Sequence, residues 1–246
     1  MTTTLQVKEE TYASALSVKS GSTLCTLSDS ETLFQPSRTL TVNARGIGAF
    51  RLPVPSRQTE VSIYNEDGTK AYLSTRDKIS SGNAVLSNQS GSLIRTEYFF
   101  GPNRDPVLHL LQANESEQVT VNGNWTSRTM QFVMPGGRQF EWGYAKEKLA
   151  DGRKVNLIVF RAIEKMGKTR EKKARIAQLV RGVDTRTPGT SKCTAGNGGE
   201  LQIDEVELQL HKLDEAVVIA TCLMMLKKEM DRRRMLQFAM IAGAGS

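Results

Sequence analysis

Three cysteines and two histidines leave a chain of 246 residues with few side chains suited to metal or thiol chemistry. Cys25, Cys193 and Cys222 are odd in number and widely spaced, so they imply no disulfide framework; Cys222 lies in an apolar run where any small hydrophobe would serve. There is no Cys-x-x-Cys and no His-Glu-x-x-His around His109 or His211, so a zinc site is not expected. Walker loops and Gly-x-Ser-x-Gly elbows are missing too. The segment GIGAFR, Gly46 to Arg51, starts like a dinucleotide loop but lacks the third glycine and the βαβ setting. Asn65-Glu66-Asp67-Gly68 is acidic but lacks the spaced carboxylates of a calcium loop. No nucleophile, base and orienting group stand out together, so the expectation is a protein that is not an enzyme, with no catalytic residue, no metal and no cofactor.

A long hydrophobic run is also lacking. Ala216 to Leu226, AVVIATCLMML, is the longest apolar stretch near the C-terminus, and as a helix its eleven residues rise about 16 Å, roughly half of a ~30 Å bilayer core. Lys227, Lys228, Glu229, Asp231 and Arg232 to Arg234 follow at once, and each charge would cost several kcal/mol in lipid. No transmembrane span is expected. A helix apolar on all sides must still be buried, which leaves the protein's own core. Thr221 interrupts the run, with a hydroxyl able to bond back to the preceding turn. Asp214 and Glu215 would face the positive end of the helix dipole, and Lys227, Lys228 and the arginines its negative end. The helix is therefore expected over about 212–234, with 237–246 as a tail. The start, MTTTLQVKEETYASALSV, lacks the basic and apolar regions of a signal peptide, so an intracellular, cytoplasmic setting is expected, peripheral to a membrane at most. The sequons at Asn88, Asn114 and Asn124 would carry no sugar.

What the chain does have is short alternating apolar runs broken by turn residues. Residues 1–37 are rich in Ser and Thr and read as an irregular leader with an early strand near Thr23 to Leu27. From residue 38 the texture changes. EVSIYNEDGTKAYLST carries two alternating runs around a glycine-containing turn, the mark of a hairpin. SLIRTEYFFGPNRDPVLHLLQ repeats the device with Gly101-Pro102-Asn103 and Asp105-Pro106. In RTMQFVMPGGRQFEWGYAK, Met130, Phe132 and Met134 alternate, Pro135-Gly136-Gly137 turns the chain, and Phe140, Trp142 and Tyr144 alternate on the return. These aromatics are read as core. After a turn at Asp151-Gly152, KVNLIVFRAI is apolar on both faces, as in a strand covered on both sides. ARIAQLVRG fits a strand or a short helix by pattern, and a strand in this company; VDTRTPGTSKCTAGNGG (Val183 to Gly199) reads as an exposed, mobile loop, and ELQIDEVELQL as an imperfect alternation. Many antiparallel strands followed by one apolar helix imply a mainly β fold: an antiparallel closed β-barrel around a buried hydrophobic C-terminal helix.

The segments NEDGTKAYL, GGRQFEWGY, NLIVFRAI, ELQIDE and LDEAVVIATCLMMLKKEMDRRR, in this order, resemble the tubby C-terminal-like superfamily, which includes tubby proteins, phospholipid scramblases and the plant LURP-one-related proteins. A fungal group of small proteins of this class is the nearer likeness. The resemblance covers about Glu60 to Arg234 and implies a barrel wrapped around a C-terminal helix, in a domain spanning 38–236. Tubby proteins bind phosphoinositides through basic residues and scramblases are associated with membrane lipids. No lipid-binding position of the family maps onto a residue of this chain.

The net charge is +7, concentrated between Arg161 and Arg186, where nine Lys or Arg face three acids. Lys165, Lys168, Arg170, Lys172, Lys173 and Arg175 form the candidate anion- or lipid-binding loop, helped by Lys227, Lys228 and Arg232 to Arg234. The expected partner is anionic phospholipid or a phosphorylated protein. The alternative is a structural or protein-interaction domain whose basic loop is merely solvated. Sequence-independent nucleic-acid binding is a third and weaker reading, against which counts the lack of aromatics interleaved with the cluster; no specific nucleic acid is expected.

Overall fold

Period-two alternation becomes strand wherever glycine, proline or Asx turns bound it. The computed structural model describes residues 25–26, 34–49, 55–101, 104–111, 117–122, 127–148, 154–166 and 170–243. In chain order the strands are β1 (Cys25–Thr26), β2 (Arg38–Ile47), β3 (Glu60–Asn65), β4 (Lys70–Thr75), β5 (Ala84–Asn88), β6 (Gly91–Glu97) and β7 (Val107–Leu110). They continue with β8 (Glu117–Asn122), β9 (Met130–Val133), β10 (Gln139–Lys148), β11 (Lys154–Met166), β12 (Arg170–Val180) and β13 (Ala195–Ile203). Among the described residues two helices follow, α1 (Glu205–Leu210) and α2 (Glu215–Gly243).

From β2 to β13 each strand pairs antiparallel with the next, and β13 returns to pair with β2. The result is a closed twelve-stranded meander, which removes the edges that an open sheet would expose. β1 lies outside this ring, parallel to β10 at Ala145 and Lys146. The expected hairpins form. At the β3–β4 turn Gly68 takes φ +80°, and the Asp67 carboxylate accepts from the Thr69 N–H at 2.9 Å and hydroxyl at 2.6 Å. The turn expected at Asp151-Gly152 lies outside the described residues.

The core is the inward face of the ring packed around α2. From Ala216 to Leu226 every helix residue except Leu223 is buried, among side chains from β2, β3 and β5 through β13. The Phe132, Phe140 and Phe160 rings stack at 5.5 to 5.9 Å, and Trp142 stacks on Phe160 at 4.8 Å. Each such side chain contributes about 1.5–3 kcal/mol by burial. Thr221 does what its position predicts, donating to the Val217 carbonyl at 2.7 Å. It also accepts from Trp142 Nε1 at 2.9 Å, so the one polar atom in this stretch of helix pins it to β10. β11 is covered on both sides: Ile158, Phe160 and Ala162 face the helix, while Leu157 and Val159 join Ala145 in a second, outer cluster.

Three expectations change. The alternation in ELQIDEVELQL breaks at Asp204, which accepts from the Val206 and Glu207 N–H groups and so starts α1 as its N-cap. The stretch expected as a mobile loop up to Gly199 is strand from Ala195 onward, and residues 195–199 are buried. Its glycines serve close approach: a Cβ on Gly196 would meet Met230 and the Leu226 carbonyl, and one on Gly198 the Val42 carbonyl. Thr187 in the same loop is buried, donating to the Val42 carbonyl at 3.1 Å. Finally, α2 does not stop near 234 but runs to Gly243, so the expected tail from 237 is helix. Lys227, Lys228 and the arginines therefore lie in mid-helix and do not cap its dipole. The charged turn is tolerated because Asp231, fully buried, pairs with Lys227 at 2.9 Å and Arg234 at 3.2 Å, one helical turn either side.

Candidate functional site

The two ends of the barrel differ in how they handle charge. α2 begins at the end covered by α1 and emerges at the other, about 21 Å further on by Glu229. At the emerging end a cleft of about 400 Å³ is lined by Arg128, Tyr144, Lys146, Arg181, Lys192, Glu229, Arg232 and Arg233, with Leu236 at its edge. These side chains come from the segment before β9, from β10, the end of β12, the loop before β13, and α2. Among the described residues Glu229 is the one carboxylate lining the cleft, and it is already engaged. Arg181 contacts it at 2.7 and 3.4 Å, and the Gly196 N–H donates to it at 2.9 Å.

The remaining five cations lie against neutral groups or face solvent. Arg232 donates to the Ser127 carbonyl at 2.7 Å and to the Tyr144 hydroxyl at 2.9 Å. Two guanidinium groups lie over the Tyr144 ring, Arg128 at 5.8 Å and Arg232 at 5.6 Å. Burial pushes the Tyr144 phenol up to about 12, so it stays a neutral hydrogen-bonding group. Arg128, Lys146 and Lys192 are exposed. An electropositive, solvent-facing cleft of this kind attracts anions and holds them by charge-assisted hydrogen bonds.

Beside the cleft the last turns of α2 project beyond the barrel. Met235, Leu236, Phe238, Met240 and Ile241 are exposed, Leu236 and Met240 by more than 60%. Phe99 and Phe100 are exposed as well, and Arg234 lies over the Phe100 ring at 4.5 Å. Gln237 is the buried exception, donating to the Ala49 carbonyl at 3.1 Å and tying the projecting turns to the rim. Five large apolar side chains around one helix end form a patch that a chain surrounded only by water rarely shows.

The basic residues predicted from sequence sit elsewhere. They belong to the β11–β12 hairpin, not to a free loop, and Met166 pairs with Arg170 at its tip. Lys168 lies outside the described residues, and of Lys165 and Arg170 only the backbone is described. Lys172 is exposed and lies opposite Glu164 in register, as Lys165 lies opposite Glu171. Lys173 contacts Glu141 at 3.1 Å. Arg175 is buried, donating to Gln178 Oε1 at 2.8 Å and lying 5.2 Å from the Phe34 ring. This tip is at the α1 end; the cleft's Arg181 is at the opposite end of β12, roughly 30 Å away along the strand. The structure therefore does not bring the predicted hairpin cluster into the cleft. Of the predicted helpers, Arg232 and Arg233 do line it, while Lys227, Lys228 and Arg234 are directed into the barrel rim. Lys228 is buried near the Thr129 carbonyl at 3.4 Å.

Sequence reasoning missed Arg128, Lys146, Arg181 and Lys192 as a group because they are scattered along the chain. Tyr144, expected as core with Phe140 and Trp142, continues their alternation far enough along β10 to reach the cleft. No helix among the described residues is long and apolar enough to cross a membrane. No family model, curated protein or solved structure matches this chain.

Proposed function

We propose that this is a non-catalytic, tubby-like barrel protein that docks on anionic phospholipid surfaces by the end from which α2 emerges. The carrying observation is the coincidence, at one end, of a cleft with five cations that have no carboxylate partner among the described residues and a projecting helix end that is apolar nearly all round. Each Lys or Arg near such a surface contributes about 1 kcal/mol of attraction, within a Debye length of ~8–10 Å. Residues 235–243 extend about 13 Å, a length suited to shallow insertion at the headgroup and acyl boundary and short of spanning. Cation and apolar tip then act together, as stable peripheral binding requires two signals. A helix held inside a closed antiparallel meander also supports the tubby-like assignment.

Co-sedimentation with phosphatidylserine and with phosphatidylcholine vesicles, at low and high salt, tests this. Binding to the anionic vesicles that weakens with salt is expected, with little on the neutral ones. No binding to phosphatidylserine at low salt would overturn the proposal.

A further inference from the structure

The barrel is not filled on the side of α2 facing β2 to β6. A cavity of about 80 Å³ lies there. Leu86, Leu223 and Met224 give it an apolar wall, and Arg76 and Lys227 line it too. The cavity is roughly half the ~150 Å³ that accommodates a benzene, so it has room for about three methylenes without repacking. Methionine is the side chain most able to shift for more.

The charges around it do not balance. Arg76 donates to the carbonyls of Ser56, Gln58, Ile79 and Ser81, all neutral acceptors, which among the described residues leaves its Nε–H and its charge for an anion. Asp231 already serves both Lys227, at 2.9 and 3.0 Å, and Arg234, at 3.2 Å. Three cations thus share one carboxylate. Neither Arg76 nor Lys227 is fully buried, Lys227 keeping 18% of its side chain exposed, so an anion can reach them from the cavity mouth while an alkyl group lies inside. Burial disfavours the charged form of each, lowering both from their ordinary values, and an added anion would offset that cost.

We infer that this cavity binds a short, unbranched monocarboxylate, with its alkyl chain against Leu86, Leu223 and Met224 and its carboxylate at Arg76 and Lys227. The ligand comes from water, so the inference does not rest on the membrane reading and can fail without it. It sets a chain-length limit near six carbons: about three methylenes fit the cavity as it stands, Met224 can shift for about two more, and further ones meet packed core.

Titration of the full chain with butyrate, hexanoate, decanoate, hexanol and hexylamine, followed by amide NMR shifts, tests it. Hexanoate is expected to saturate, with butyrate weaker, decanoate no tighter and hexanol at least tenfold weaker. Hexylamine should not bind. Ser74 lines the same cavity, and Ser74→Leu should abolish hexanoate binding by filling it; if that variant unfolds, Leu223→Phe takes its place. Arg76→Gln should weaken hexanoate at least tenfold and Arg76→Lys should restore most of it. Absence of saturable hexanoate binding, equal binding of hexylamine, or undiminished binding in a folded cavity-filled variant would each overturn the inference.

Discussion

At the α1 end of the barrel several described cations contact or lie opposite acids, whereas at the other end the cations lining one cleft outnumber its single carboxylate. Where α2 begins, Glu215 takes Arg38 at 3.3 Å and the Tyr72 hydroxyl at 2.8 Å, while Asp204 accepts from the Gln35, Val206 and Glu207 N–H groups. The basic hairpin at the same end faces acids in register. Where α2 emerges, one engaged carboxylate serves a cleft of six cations, and apolar side chains project past it. Lys172 and Lys173, close together in sequence, are each set beside an acid, while the cations lining the cleft are scattered along the chain. The local density of Lys and Arg measures opportunity; the supply of carboxylates decides what is left for a ligand.

The sharpest break of this contrast is at Asp231. Asp231→Asn removes a fully buried carboxylate from between Lys227 and Arg234, which are 18% and 12% exposed, and a loss of about 3–5 kcal/mol is expected on chemical denaturation. Glu215→Gln, at the half-exposed pair on the other end, should cost about 1 kcal/mol or less. Between the ends, Thr221→Val keeps shape but strands the Trp142 N–H, and a loss of about 1–3 kcal/mol is expected in the same assay.

The ends should separate again in lipid binding. Arg128→Glu with Arg233→Glu is expected to weaken binding to phosphatidylserine vesicles at least tenfold, whereas Lys172→Glu should leave it within twofold. Equal losses would show that net charge alone governs attachment. The smallest effect is a pH slope. Burial lowers the Lys228 ammonium to about 8 from an ordinary value of 10.5. Between those values the unfolded chain binds more protons than the folded one, so this residue's contribution makes stability rise with pH. The Cys222 thiol, pushed up by burial to about 12, acts oppositely above pH ~9. The difference between wild type and Lys228→Met, followed by thermal unfolding between pH ~7.5 and ~9, should therefore show the wild type gaining relative to the variant as pH rises.

Much of the fold was legible because its cause is local. Period two in Met130 to Tyr144 and the double-faced KVNLIVFRAI announce a barrel wall, and an apolar run too short for a bilayer announces what the wall encloses. The errors have local causes as well. Glycines at 196, 198 and 199 look like a loop until the helix and β2 are close enough to require them. The charged turn after Leu226 looks like a helix end because its pairing, Lys227 to Asp231 to Arg234, exists only along the helix that it was thought to terminate. The cleft was the least legible part. Arg128, Lys146, Arg181 and Lys192 share no pattern in sequence, and only barrel closure and the path of α2 bring them beside Arg232 and Arg233.

The most direct measurement places a nitroxide at position 240 or at position 172, using Met240→Cys or Lys172→Cys with Cys25 and Cys193 replaced by serine. Relaxation by oxygen and by a water-soluble nickel chelate is then compared with and without phosphatidylserine vesicles. If the emerging end is the docking face, position 240 gains oxygen contact and loses nickel contact on the vesicles, while position 172 stays in water. A probe at 240 that remains in water while the protein is vesicle-bound, or one at 172 that enters the lipid, would contradict the account.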